Sequence, residues 1–163
     1  MSVVAVRVEK DKIIIGADSI LVSGYTQEKD KLAKLFQNEW MTVGDVGDAQ
    51  EGALFQIFSK TRKPRESSVD AITEYMFDFF QWNKEKTENT ELSNSYIIIF
   101  ENKAFIVEGF YVKEIKDYAA IGAGMDFALA ALYLGSSVSD AIKTACHLSI
   151  LCEEPINIIT VKK

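Results

Sequence analysis

Two short runs of apolar residues on either side of a charged turn open the chain. Residues 3–8 are mostly valine, residues 9–12 read Glu-Lys-Asp-Lys, and residues 13–17 are apolar again. This pattern predicts a β-hairpin. Because paired antiparallel strands run in opposite directions, the start of the first strand lies beside the end of the second. The pattern therefore predicts that Ser2 and Asp18 are neighbours.

The rest of the chain alternates between strand-like and helix-like stretches. Residues 19–30 are polar and favour a loop or a ragged strand, while residues 31–37 and 40–43 have the pattern of a second hairpin. The pattern then predicts two helices (48–58 and 67–83) and several strands (95–100, 104–109, 111–112 and 118–122). Two further helices (125–134 and 137–152) and a last strand (156–161) follow. Two groups of strands, each followed by paired helices, predict stacked antiparallel sheets with helices outside them. The predicted fold class is α+β, a four-layer αββα sandwich.

Three of the predicted helices begin with a capping signature, in which a serine or aspartate precedes an acidic residue by three positions. The signature occurs at Asp48 with Glu51, at Ser67 with Asp70 and at Ser137 with Asp140. Along the second helix the apolar residues form one stripe. Phe77 and Trp82 lie off that stripe, which fits either a subunit contact or ordinary partly exposed aromatics. The charged residues 84–91 are predicted to form the loop that follows.

Composition limits the kinds of function that the chain can have. Its 163 residues, 48% of them hydrophobic, suffice for one domain with a sizeable core, which we expect to span residues 1–163. A net charge of −6 with dispersed basic residues argues against nucleic acid as a partner. No apolar run approaches the roughly 20 residues of a membrane helix, and the first residues lack the layout of a secretory signal. We therefore expect a cytoplasmic protein with no membrane partner.

Residues that often serve in metal binding and nucleophilic catalysis are scarce. Cys146 and Cys152 fall six positions apart in one predicted helix, a poor spacing for a disulfide or a metal site, so we expect reduced core thiols. His147, the only histidine in the sequence, has apolar neighbours, which favours a buried structural role over a catalytic triad or a zinc site.

Ser2 is the leading candidate nucleophile. It follows the initiator Met1, which cells usually remove when the next residue is small. Removal would give Ser2 a free α-amino group, whose pKa of about 7.7–8.0 leaves a large neutral fraction at physiological pH. A neutral amine can accept a proton, so such a residue carries a nucleophilic hydroxyl and a base together.

Ser2, Asp18 and Lys34 are spaced sixteen positions apart, and this spacing resembles that of the proteasome β-type and HslV-like family of N-terminal-nucleophile (Ntn) hydrolases. Further motifs carry the same resemblance, at Lys10-Asp11, at residues 34–36, at residues 46–50 and at residues 121–131. Together they cover nearly the whole chain. The resemblance implies the Ntn-hydrolase type of αββα sandwich.

The resemblance also implies a role for each site residue. Ser2 attacks a peptide carbonyl and its own amine moves the proton, while Lys34, oriented by Asp18, favours the neutral amine and stabilises negative charge on oxygen. Gly44 matches the glycine whose backbone N–H faces the oxyanion, and Thr42 lies near the base of the substrate pocket. The implied activity is peptide hydrolysis of the threonine-peptidase type, carried out by serine and requiring no cofactor.

An assembly is implied as well. Subunits of this family form rings, so we expect a homo-oligomeric hexamer or heptamer that can stack as a double ring. The expected partners are an AAA+ ATPase unfoldase and unfolded polypeptide substrates.

Each site residue also has an ordinary structural interpretation. Ser2 can be an unremarkable second residue, Asp18 a turn residue and Lys34 a lysine at a sheet edge. Lys31 is a competing lysine, although strand alternation sends it to the face opposite Lys34.

Departures from the family pattern define two rival functions. Ala123 stands where the family commonly has a serine between two glycines, and residues 153–155 lack the family's Asp and Ser. If the opening valines are instead aligned with the first residues of the HslV-like family by residue similarity, Met1 falls at the nucleophile position. The first rival is a catalytically inactive assembly or binding protein that retains Met1. The second is an amidase for small molecules that works without an unfoldase.

Overall fold

The computed structural model describes residues 2–29 and 34–163, and these residues form four layers. They contain the strands β1 (Val4–Val8), β2 (Lys12–Ala17), β3 (Ile20–Ser23), β4 (Thr26–Lys29), β5 (Leu35–Gln37), β6 (Met41–Val46), β7 (Ser95–Phe100), β8 (Lys103–Glu108), β9 (Tyr111–Ile115), β10 (Tyr118–Ile121) and β11 (Asn157–Lys162). The helices are α1 (Ala49–Ser59), α2 (Val69–Thr87), α3 (Met125–Tyr133) and α4 (Val138–Leu148).

Two antiparallel sheets face each other in the middle of the molecule. The first has the strand order β10-β1-β2-β11, the second has the order β5-β6-β7-β8-β9, and β3 and β4 form a separate hairpin. Between the sheets, side chains such as Val4, Val6 and Ile15 share one buried cluster with Ile97 and Ile99. The two sheets therefore enclose a core of β-branched residues, as their strand patterns require.

The two helix pairs cover the outer faces of the sheets. Helices α1 and α2 pack on the second sheet through an aromatic cluster that includes Phe55, Phe58 and Tyr96, all fully buried. Each fully buried side chain of this size stabilises the fold by about 1.5–3 kcal/mol. Helices α3 and α4 pack on the first sheet through smaller residues, among them Ala128 and Ala141. The predicted four-layer αββα sandwich is confirmed.

Strand β1 lies in the interior of the first sheet. Val4 pairs with Ala17 of β2 on one side and with Ile121 of β10 on the other. The chain before Val4 therefore lies beside the ends of both neighbouring strands. This register confirms the hairpin predicted from the opening residues and brings Ser2 to the edge where β2 and β10 end.

Several element boundaries differ from the predicted ones. Residues 20–29, predicted as a loop or a ragged strand, form the β3–β4 hairpin. In the predicted strand over residues 31–37, only Leu35–Gln37 are described as a strand, and Lys31, the competing lysine, lies outside the described residues.

Helix α2 begins one residue later and ends later than predicted. Its N-cap is Ser68, whose hydroxyl accepts the Ala71 N–H, because the hydroxyl of Ser67 donates instead to the Phe100 carbonyl. The first part of the predicted charged loop continues the helix to Thr87. Lysines in this last turn suit the partial negative charge at a helix C-terminus.

Helix α4 ends at Leu148, well before the predicted end at Cys152, because the backbone at Ser149 is extended. The prediction that His147 is buried was wrong. His147 lies in the last turn of α4 and is exposed. Within the described residues, no helix combines the length and the apolar character that crossing a membrane requires.

Candidate active site

Asp18 lies directly after β2 and is almost fully buried. Its Oδ1 atom accepts the Val3 N–H at 2.9 Å, and its Oδ2 atom accepts the N–H groups of Glu153 at 3.2 Å and Ile20 at 3.3 Å. Lys34 Nζ lies 2.7 Å from Asp18 Oδ1. A carboxylate with four donors is held in one orientation and satisfies the requirement that a buried charge be paired.

Lys34 is the cation of this pair and lies just before β5. Burial lowers the pKa of Lys34, and the neighbouring carboxylate of Asp18 opposes that shift. Its side chain is 15% exposed, whereas that of Asp18 is inaccessible. The ammonium is therefore fixed by Asp18, while part of the side chain stays accessible.

Ser2 is buried at the start of β1. Its carbonyl accepts the Gly124 N–H at 3.1 Å. Gly122 has a φ of +94°, and a Cβ at this position would collide with the Ser2 carbonyl oxygen. The turn before α3 can approach the serine this closely only because it carries glycine. Ala123 lies between these two contacts and is exposed.

A cavity of about 320 Å³ opens beside this group. It is bounded by the end of the first sheet, β3, β5, β6 and the first turns of α1. The lining residues include Ser2, Ile20, Val22, Lys34, Asp45, Gly47, Ala49 and Ala53. A concave and partly apolar space beside convergent polar groups is the usual form of a binding or active site.

Two residues predicted for the site lie elsewhere. Gly44 lies in the middle of β6, where a Cβ would come within 2.6 Å of Val4 and 3.1 Å of Ile15 in the core between the sheets. Thr42 is buried, accepts a hydrogen bond from Gln37 Nε2 at 2.9 Å, and does not line the cavity that contains Ser2. The structure thus brings together Ser2, Asp18 and Lys34 but neither Gly44 nor Thr42.

The backbone of β6 shows which glycine faces the cavity. The Asp45 N–H donates to the Lys34 carbonyl at 2.9 Å. Since N–H groups alternate between the two neighbouring strands, the N–H of Gly44 points toward β7 and that of Gly47 toward the side of Lys34. Gly47 lines the cavity and has a φ of +139°, which favours glycine. Asn94 fills the space of the missing side chain.

Asp45 is an acidic group in the cavity that sequence reasoning missed. It is half-buried on the helix side of β6, and burial raises its pKa to about 7, with Lys34 lowering the value and Glu51 raising it. The predicted strand covered residues 40–43, whereas β6 continues to Val46, so Asp45 fell outside the predicted strand. Its position in β6 therefore had no signal in the sequence pattern.

Glu51 in the first turn of α1 holds the loop beneath the cavity. Its carboxylate accepts the N–H and hydroxyl of Ser93, the Asn94 N–H at 3.1 Å and the Tyr96 hydroxyl at 2.8 Å. The helix itself is capped by Asp48, whose Oδ1 atom accepts the Glu51 N–H at 2.9 Å, as its signature predicts. These contacts fix the position of α1 against β7 and therefore one wall of the cavity.

The two cysteines near the site are thiols. Burial raises the pKa of Cys146 to about 12, and burial with the charge of Asp18 raises that of Cys152. Because the thiolate is the nucleophilic form, such cysteines are poor nucleophiles at neutral pH. In the part of the chain that the structure describes, no group of three His, Cys, Asp or Glu residues could hold a metal ion.

This four-layer architecture is the proteasome-like fold, which solved structures of two other proteins share. BPH from Thiobacillus denitrificans, in complex with epoxomicin, matches with a TM-score of 0.88 and 18% identity over 98% of both chains. A second structure of that BPH matches with a TM-score of 0.86 and 19% identity, over 98% of this chain and 97% of the other.

Eukaryotic HslV from Trypanosoma brucei matches with a TM-score of 0.72 and 17% identity over 99% of both chains. At this level of identity the likeness is one of fold. No sequence-family model and no curated protein matches the chain.

Proposed function

We propose that the chain is a peptidase subunit in which Ser2, freed by removal of Met1, is the nucleophile. The arrangement of Asp18 carries this proposal. Its carboxylate holds the Val3 N–H, next to Ser2, and the Lys34 ammonium on one oxygen atom. A lysine and a serine are thereby positioned at the same end of a cavity.

In the proposed reaction the Ser2 hydroxyl attacks the peptide carbonyl and its proton passes to the α-amino group of the same residue. Collapse of the tetrahedral intermediate breaks the peptide bond, and the departing amine takes that proton. Water then hydrolyses the resulting ester. The Lys34 ammonium favours the neutral α-amine before attack, because a nearby positive charge lowers the pKa of an amine. It also stabilises the developing negative charge on oxygen.

We propose the Gly47 N–H, rather than that of Gly44, as the donor to the oxyanion. Its direction toward Lys34 and its position on the cavity wall support this assignment. The N–H of Gly44 is directed into the ladder with β7. One donor of this kind contributes about 10²-fold or more to the rate in enzymes where it has been removed.

The proposed function includes a homo-oligomeric ring and an AAA+ unfoldase partner that delivers unfolded polypeptides. The resemblance to the HslV-like family and the shared fold support the ring. Phe77, which is exposed on α2, is compatible with a contact between subunits. Epoxomicin, which BPH binds, is a suitable inhibitor to test on this chain.

The first test is the intact mass of the natively expressed protein together with hydrolysis of fluorogenic peptides. We expect the loss of one methionine and measurable hydrolysis that epoxomicin inhibits. Ser2→Ala and Lys34→Ala should each reduce hydrolysis by about 10³-fold or more, because residues that act as one catalytic unit fail together. Assembly should be unchanged.

Lys10→Ala is the matched control, because Lys10 is exposed in the turn at the opposite end of β1. It should keep wild-type hydrolysis, and we predict that Lys31→Ala keeps most of it. Full turnover by Ser2→Ala would defeat the assignment of the nucleophile. Retention of Met1 with no hydrolysis would favour the inactive assembly protein.

A further inference from the structure

We infer that Asp45 makes the cavity selective for substrates with a cationic side chain, lysine or arginine, next to the scissile bond. This inference rests on the proposed peptidase function, since the cavity is treated as the space that receives a substrate side chain beside Ser2. It assigns to Asp45 a role in specificity rather than in bond cleavage.

The carboxylate of Asp45 lies at the wall of the cavity. The side chain of Asp45 lies on the face of β6 that points toward α1, and it lines the same cavity as Ser2. Gly52 of α1 lies directly against it, and a Cβ there would collide with Asp45 Oδ2. The missing side chain at Gly52 therefore leaves the space that this carboxylate occupies.

The carboxylate of Asp45 has few hydrogen-bond partners. Asn94 Nδ2 is 3.5 Å from Asp45 Oδ2, a long hydrogen bond. Among residues 2–28 and 34–163, no cationic group lies within 4.0 Å of Asp45. A half-buried carboxylate without a close cation favours a ligand that supplies one.

The charged groups around Asp45 are already engaged with other partners. Lys34 gives its ammonium to Asp18 at 2.7 Å. On α1, Glu51 accepts four hydrogen bonds from β7 and the residues before it, and Asp48 caps the helix. Asp45 is thus the acidic group of the cavity that can bind a substrate cation.

The shape and lining of the cavity suit a long cationic side chain. Apolar side chains line the approach, among them Ile20, Val22, Ala49 and Ala53. The alkyl stem of lysine or arginine packs well on such surfaces while its charged head reaches a polar group. With a volume of about 320 Å³, the cavity has room for one such side chain.

The test compares two fluorogenic peptides that differ only in the residue before the scissile bond, arginine in one and leucine in the other. The measured quantity is the ratio of their kcat/KM values, because catalytic effects common to both substrates cancel in a ratio. The wild-type protein should prefer the arginine peptide. Asp45→Asn, which keeps the shape and removes the charge, should lower the ratio by about tenfold or more.

Asp11→Asn is the matched control, because Asp11 is exposed in the turn at the far end of β1 and β2. It should leave the ratio unchanged. A second measurement needs no variant. Because burial raises the pKa of Asp45 to about 7, the wild-type ratio should rise as the pH increases from 6 to 8.

The outcomes separate the two proposals. If neither peptide is cut, the peptidase function fails. If both are cut but the wild-type protein shows no preference for arginine, or Asp45→Asn leaves the preference intact, the role of Asp45 is overturned while the peptidase function stands.

Discussion

At Asp45 the surroundings act against the charged form of the side chain. Burial raises the pKa of this carboxyl from 3.8 to about 7, and only Lys34 opposes the shift. The same residue type at Asp18 has four hydrogen-bond donors. Asp45 has one long hydrogen bond from Asn94 in contrast, so the two aspartates differ in the number of donors that they already bind.

This difference predicts an effect of pH on stability. Between about pH 4 and pH 7 the unfolded chain has released the proton of Asp45 whereas the folded chain retains it, so this residue lowers stability as the pH rises. Above pH 7 the effect levels off. Asp45→Asn removes the penalty, and each unit of raised pKa corresponds to about 1.4 kcal/mol.

Urea unfolding of wild type and Asp45→Asn at pH 5 and pH 8 measures this effect, since other titrating groups cancel in the difference. We expect the variant to gain stability over wild type on going from pH 5 to pH 8. An equal difference at both pH values would show that the carboxyl titrates normally.

The residue pattern indicated part of the site but not all of it. The neighbourhood of Ser2 and Asp18 could be predicted because strand pairing fixes which chain ends meet, and Lys34 entered the predicted site through the family resemblance. Asp45 and Gly47 could not, because their relevance depends on which face of β6 borders the cavity. That face is set by the packing of α1, whose position depends on contacts such as the long-range bonds of Glu51.

At the level of elements, one buried carboxylate joins α1 to the sheet. Glu51 is 2% exposed and accepts hydrogen bonds from Ser93, Asn94 and Tyr96. Asn94 and Tyr96 are buried, so its removal leaves their donors without partners, and each unsatisfied group costs about 1–3 kcal/mol.

Glu51→Ala should therefore lower the free energy of unfolding by about 3–5 kcal/mol. Glu85→Ala, at an exposed position of α2, should change it by less than about 0.5 kcal/mol. Chemical denaturation of both variants provides the measurement. A loss below about 1 kcal/mol in Glu51→Ala would show that water replaces the carboxylate.

Helix starts were more predictable than helix ends. Asp48 and Ser137 cap α1 and α4 as their local signatures predict, because capping is a contact over three residues. The ends of α2 and α4 were misplaced. The usual local signal for a helix end is a glycine in the left-handed conformation. After α2 this conformation is adopted by Glu88, so the sequence contains no such signal there.

For the whole molecule, an exposed group of phenylalanines bears on assembly. The ring of Phe77 lies 4.8 Å from that of Phe110, and Phe80 lies 5.5 Å from Phe110 in an edge-on arrangement. Phe77 is 51% and Phe110 41% exposed. Trp82, in contrast, is half-buried against Phe58. Of the two aromatics that lie off the helix stripe, Phe77 is therefore the better candidate for a subunit contact.

We predict that Phe77→Ser shifts the protein from the proposed ring toward smaller species, as measured by analytical ultracentrifugation across a range of concentrations. Tyr25→Ser, at a fully exposed and isolated aromatic in the β3–β4 turn, should leave the assembly unchanged. A ring that persists in Phe77→Ser at low concentration would place the contact on another face.

The four layers followed from the sequence because each depends on a repeated pattern, with period two in the strands and a 3.6-residue period in the helices. The cavity did not follow, because its volume is the space left between layers. That space depends on small residues at positions such as Gly52 and Ala53, whose effect appears only when the facing strand is known.

The interior position of β1 has a practical consequence for anyone who produces this protein. An affinity tag fused before Ser2 would start from a buried residue at the cavity wall and would compete with ligands for that space. Lys163 at the other terminus is exposed, so a tag placed there leaves the cavity open. Recombinant designs that carry an upstream tag should therefore be cleaved directly before the serine.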